Sequence, residues 1–141
     1  MMMPDVNILV NAHRVDAVAH AQYSRFMAGL AEGPEPFALA EPVLHGFVRI
    51  VTNRKVFREP TSTRRAFAFV DEFLNLSNCV TLRAGPQHWP IFRELCEGNN
   101  LTGKIVADAA HAALAIEYGC EWITADTDFA RFAPLLRWRH L

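Results

Sequence analysis

Apolar residues along the chain fall into short unbroken runs separated by longer stretches with helical spacing. Val6 to Val10 is apolar except for Asn7 and follows Pro4-Asp5. A run this short fits a strand buried on both faces, and in a strand Asp5 and Asn7 point to one side. Val18 to Ala31 has helical character and ends at Gly33-Pro34. Phe37 to Ala40 is a second strand. Glu41-Pro42 then opens a helix, since proline suits the first turn and an acid there complements the helix dipole. Val43, Leu44, Phe47, Val48, Ile50 and Val51 supply its broad apolar face.

Between Thr52 and Glu59 the chain turns polar and basic. Pro60-Thr61-Ser62 marks the next helix start, with Phe67, Phe69, Val70, Phe73 and Leu74 inside it. Cys79 to Leu82 is a third strand, and Trp89 to Cys96 a helix ended by Gly98-Asn99-Asn100. Thr102 is placed to cap the Ala-rich helix Ile105 to Tyr118, and Gly119 to stop it. Cys120 to Ala125 is strand-like and runs directly into Asp126-Thr127-Asp128. A helical turn over Phe129 to Phe132 and a strand over Leu136 to Leu141 complete the chain. No repeat, linker or low-complexity tract interrupts it. The pattern is one α/β domain over residues 1–141, with a parallel sheet covered by helices on both faces.

Acids recur where such sheets do chemistry. Asp5, Glu41, Asp126 and Asp128 lie at strand ends or at the start of helices that follow strands, and open parallel sheets bind ligands beyond the carboxyl ends of their strands. Asp108 falls on the second turn of a helix otherwise built from Ala, Ile, Val and Leu; it is either solvent-facing or part of a site. Asp5 likewise either marks the exposed start of a strand or points into a pocket, and Glu41 also fits as a simple N-terminal helix acid. Were these carboxylates to converge, each close pair would cost roughly 4 kcal/mol at about 4 Å and an effective dielectric near 20. A cluster then needs a proton, a basic side chain or a divalent cation. Oxygen-only ligands select a hard ion, Mg2+ or Mn2+, and a pair of such ions supports phosphodiester hydrolysis.

Composition narrows the field. At 141 residues and 51% hydrophobic the chain can bury a sizeable single core. A formal net charge of −1 gives no global nucleic-acid signature, which leaves local basic patches to do that work. Arg14 and Lys104 are candidate RNA contacts beside the acids, and Arg49, Arg54, Lys55, Arg58, Arg64 and Arg65 are others. No apolar run is long enough to cross a bilayer. The amino-terminal residues lack the pattern of a signal peptide. Cys79, Cys96 and Cys120 are odd in number and have no CxxC spacing, as expected for buried thiols in a reducing cytoplasm. His111 reads as a packing or surface residue, and the tryptophans as core or interface. No Gly-rich phosphate loop is present. A phosphoacceptor receiver domain would need an Asp ending the third strand, where this chain has Cys-Val-Thr-Leu-Arg.

Four segments taken together resemble the PIN-domain ribonucleases, in particular the VapC-type toxins of bacterial toxin–antitoxin pairs. They are P-D-V-N-I-L-V near the start, Glu41 with R-I-V-T-N-R after it, V-A-D-A-A-H-A-A-L-A-I-E-Y-G, and W-I-T-A-D-T-D-F-A-R-F. The likeness covers essentially the whole chain and is least specific over residues 52–100. It implies a PIN-like three-layer α/β/α fold around a parallel sheet of four to five strands. It implies Asp5, Glu41, Asp108 and Asp126 as catalytic acids which, with Asp128, hold one or two Mg2+ or Mn2+ ions for water attack on an RNA phosphodiester. Asn7 and Thr124 match supporting polar positions. A homodimer and a cognate antitoxin whose basic segment enters the acidic pocket are also implied. A non-catalytic RNA-binding or protein-interaction module on the same fold is the competing expectation.

Overall fold

In the computed structural model of the chain, which describes residues 1–141, five strands form one sheet in the order β3-β2-β1-β4-β5. They are β1 (Met2–Pro4), β2 (Phe37–Ala40), β3 (Cys79–Leu82), β4 (Glu121–Thr124) and β5 (Trp138–His140). All four ladders are parallel, so each strand return needs a crossover. Helices α1 (Val6–His13) and α2 (His20–Glu32) carry the chain from β1 to β2. Helices α3 (Glu41–Val51) and α4 (Thr63–Leu74) lead to β3, and α5 (His88–Gly98) and α6 (Ile105–Glu117) to β4. A 3-10 segment, Thr127–Phe132, begins the return from β4 to β5. With this order, right-handed crossovers put α1–α4 on one face and α5–α6 on the other. The main helix contacts keep to those two groups.

The first strand is not where the apolar run placed it. Val6 to Val10 is the body of α1, and the strand is the three residues before Asp5. Asp5 is the reason: its carboxylate accepts the Val6 amide hydrogen and caps a helix at that point. Ile8, Leu9, Val10 and Ala12 are then buried from a helix, a burial that a five-residue apolar run does not distinguish from a strand.

Thr102 does not cap α6. Gly103 takes a left-handed φ of 68° and the helix starts beyond it, with Lys104 at the cap position and no side-chain cap bond. Asp108 accordingly sits in the first turn rather than the second. The other end follows expectation: Gly119, at φ 63°, donates to Ile116 O at 3.1 Å while Cys120 donates to Ala115 O at 2.8 Å. This paired closure of a helix end requires the left-handed residue.

The core is continuous across both faces of the sheet, with Met3, Phe37, Leu39, Phe47, Trp122 and Phe129 among its fully enclosed side chains. Trp122 is wholly buried whereas Trp89 is 62% exposed on α5. Cys120 is buried but Cys79 and Cys96 are half-buried, and all three thiols are free. Burial pushes each thiol up, Cys79 to about 11, so none is a reactive thiolate. No helix is long and apolar enough to cross a membrane.

Candidate active site

β1 and β4 are central neighbours, and the sheet order reverses between them, which is where an open parallel sheet has its crevice. Asp5 leaves the carboxyl end of β1, and Thr124-Ala125-Asp126 leaves that of β4. Asp5 Oδ1 accepts the Val6 amide at 2.6 Å, and Oδ2 accepts the Thr124 hydroxyl at 2.6 Å and the Asn7 side-chain amide at 2.8 Å. Thr124 Oγ1 in turn accepts the Asp126 amide at 3.0 Å, and Asn7 Oδ1 accepts the Ala125 amide at 3.1 Å. Asp126 Oδ1 accepts the Asp128 amide at 2.9 Å and so starts the 3-10 segment. Asn7 and Thr124 thus fasten the ends of two strands together and fix the Asp5 carboxylate between them.

A cavity of about 730 Å3 opens over these strand ends, and Asp5, Asp108 and Asp126 all line it. The remaining acids stand elsewhere. Glu41 opens α3 as expected, but its carboxylate pairs with Arg83 at 2.8 Å. It borders an adjoining hollow between α3, α4 and β3 rather than the acidic cavity. Asp128 is exposed on the 3-10 segment, outside the cavity lining, although its charge reaches Asp108. Lys104 is exposed and its charge also acts on Asp108. Arg14 is engaged elsewhere: it clasps Asp16 through two nitrogens and donates to Glu59 O at 2.8 Å and Thr61 Oγ1 at 3.2 Å. It also lies over the Phe57 ring at 4.1 Å, which fastens the end of α1 to the α3–α4 loop.

The electrostatics follow from burial. Asp5 is only 5% exposed, and this lifts its carboxyl from 3.8 to about 6 against the lowering effect of the Thr124 and Val6 hydrogen bonds. The Asp108 and Asp126 charges push it further in the same direction. Asp108 is raised too, first by burial and then by Asp126 and Asp128, with Arg131 and Lys104 opposing. None of the three lining acids has an ion-pair partner. An oxygen-only cluster raised in this way, without an ion-pair partner, is the donor set a hard divalent cation suits. As placed, the side chains do not close into a three-ligand cage.

Several lining residues were not singled out from the sequence as part of a pocket. Asn11 reaches the cavity because α1 is a helix, and His45 and Arg49 reach it from α3. The last two lie four and eight residues after Glu41, a spacing that puts all three near one helix face and was readable in advance. His111 lines the cavity three residues after Asp108, and its ring packs 5.6 Å from that of Trp122. Burial lowers its pKa, so packing and cavity lining are combined in one residue.

A doubly wound parallel sheet with carboxylates gathered at its switch point defines the class, and comparison with known proteins specifies it. The PIN domain matches residues 2–135. A VapC ribonuclease of Mycobacterium bovis, Mb2897, is 46% identical over 140 residues, covering 99% of this chain and 95% of its own length. Ribonuclease VapC25 of Mycobacterium tuberculosis is 34% identical over 141 residues, covering 100% and 97%. This chain belongs to the PIN-domain family, among the VapC ribonucleases. Solved structures share the fold. The VapBC2 complex of Rickettsia felis bound to promoter DNA superposes with a TM-score of 0.70 at 21% identity, covering 99% of this chain and 97% of that one. VapC20 of Mycobacterium tuberculosis, a toxin that cleaves the sarcin-ricin loop, gives 0.69 at 15%, covering 94% and 95%.

Proposed function

We propose that this chain is a divalent-metal-dependent endoribonuclease that hydrolyses RNA phosphodiester bonds as the toxin of a toxin–antitoxin pair. The observation that carries this reading is the meeting of Asp5, Asp108 and Asp126, from β1, α6 and β4, at one cavity. A module that only bound RNA would have no need of three acids without ion-pair partners facing a polyanion. Asp5, Asp108 and Asp126 would hold Mg2+ or Mn2+, and Asp128 would join them where a second ion binds. A bound ion of this kind supplies an activated water and neutralises charge on the phosphodiester.

The chain's own groups prepare that chemistry. Thr124, Asn7 and the Val6 amide orient Asp5, and because burial raises its carboxyl to about 6, an ion binding there competes with a proton and binds better as pH rises. Glu41, paired with Arg83 through one carboxylate oxygen and outside the cavity lining, would have to move towards the acids to orient a water or join the ligands. A cognate antitoxin partner fits the toxin–antitoxin setting of the relatives, and the half-buried and buried free thiols suit the reducing cytoplasm. A homodimer is part of the same proposal.

Purified protein incubated with total RNA tests the reading. Cleavage is expected with Mg2+ or Mn2+ and not with EDTA, and Asp108→Ala should lose it by a factor on the order of a hundred or more. Cleavage by Asp108→Ala equal to that of the parent contradicts the proposal.

A further inference from the structure

Arg49 is the single Lys or Arg among the residues that line the acidic cavity. Its guanidinium makes no ion pair, unlike Arg14 on Asp16 or Arg83 on Glu41. It projects from the third turn of α3, one turn beyond His45, and both residues are exposed. Helix α3 runs close to the start of α1 because residue 46 is glycine: a Cβ there would stand 3.0 Å from Val6 Cγ2. That approach brings the Arg49 wall of the cavity up to the residue next to Asp5. Arg49 lines the cavity from α3, whereas Asp5, Asp108 and Asp126 line it from the ends of β1 and β4 and the first turn of α6.

An unpaired guanidinium from α3 and acids from β1, α6 and β4 give one cavity groups of both signs. The planar fork of Arg suits phosphate oxygens, and a nuclease cavity lined by acids needs a cation to draw a phosphodiester chain past them. We propose that Arg49 binds an RNA phosphate neighbouring the one to be cut. The backbone is then gripped from α3 while the adjacent phosphodiester is presented to Asp5, Asp108 and Asp126. This assignment rests on the ribonuclease reading and names the substrate contact within it.

The test uses Arg49→Gln and Arg49→Lys, each in an Asp108→Ala background that blocks cleavage. Binding to a fluorescein-labelled single-stranded RNA of mixed sequence is followed by anisotropy over a range of KCl concentrations. Arg49→Gln should weaken binding roughly tenfold, the loss of one charge-assisted contact. It should also reduce the slope of log K against log salt by about 0.7, one phosphate on a single strand. Arg49→Lys should keep the slope. In the otherwise native chain, Arg49→Gln should raise KM more than it lowers kcat. Unchanged affinity, slope and KM in Arg49→Gln, with the parent chain cutting RNA, overturns the Arg49 assignment alone. A parent chain that cuts no RNA overturns the ribonuclease reading together with it.

Discussion

Asp5 is a carboxylate held where its charge is disfavoured, and its pH dependence gives the position a measurable signature. Its folded value of about 6 exceeds the ordinary 3.8, so the folded chain binds this proton more tightly than the unfolded chain does. The corresponding stability is fully present below the unfolded value and is lost as pH rises towards 6, about 3 kcal/mol for a shift of roughly two units. Asp5→Asn cannot titrate there. Compared with the parent, its stability should therefore rise between about pH 4 and pH 6.5 and then level off, in urea denaturation with EDTA present. A stability difference that is flat across this range contradicts the burial of Asp5. The candidate acids were named from the sequence, but not all their places were: Asp5 stands beyond the carboxyl end of β1 rather than at the start of a strand over Val6 to Val10, and Asp108 lies in the first turn of α6 rather than the second. The Glu41–Arg83 pair was not legible in the sequence: it joins residues at the ends of neighbouring strands β2 and β3, and strand neighbours are set by the fold as a whole.

At the scale of elements, sequence patterning located β2, β3, α3, α4 and α6 closely. It misassigned the first strand because a short apolar run has the same composition whether a helix or a strand buries it. The deciding feature was a side-chain cap, Asp5 on Val6, which is itself part of the site. Gly119 was legible for a physical reason: at φ 63° it closes α6 with two backbone bonds and turns the chain into β4, which delivers Thr124 and Asp126. Gly119→Ala forces a side chain into the left-handed region and should cost about 1 kcal/mol, read as a lowered urea midpoint with an unchanged m-value. A midpoint equal to that of the parent would mean that the turn is not held as described.

At the scale of the whole molecule, the strand order β3-β2-β1-β4-β5 turns a scattered set of acids into a cluster. Residues 5 and 126 are distant in sequence and meet because β1 and β4 are adjacent. Asp108 joins them from the first turn of α6. That convergence was implied by the family likeness and not by any single motif, since a strand order has no local sequence signature. If this cavity is a site for a hard divalent ion, Mn2+ binding measured by calorimetry at about pH 7.5, above the Asp5 value of about 6, tests it most directly. The parent chain should bind Mn2+ at the cluster, Asp108→Ala and Asp126→Ala should lose most of that affinity, and the exposed control Asp71→Ala should keep it. Binding that is absent from the parent, or retained in full by Asp108→Ala and Asp126→Ala, would contradict the account.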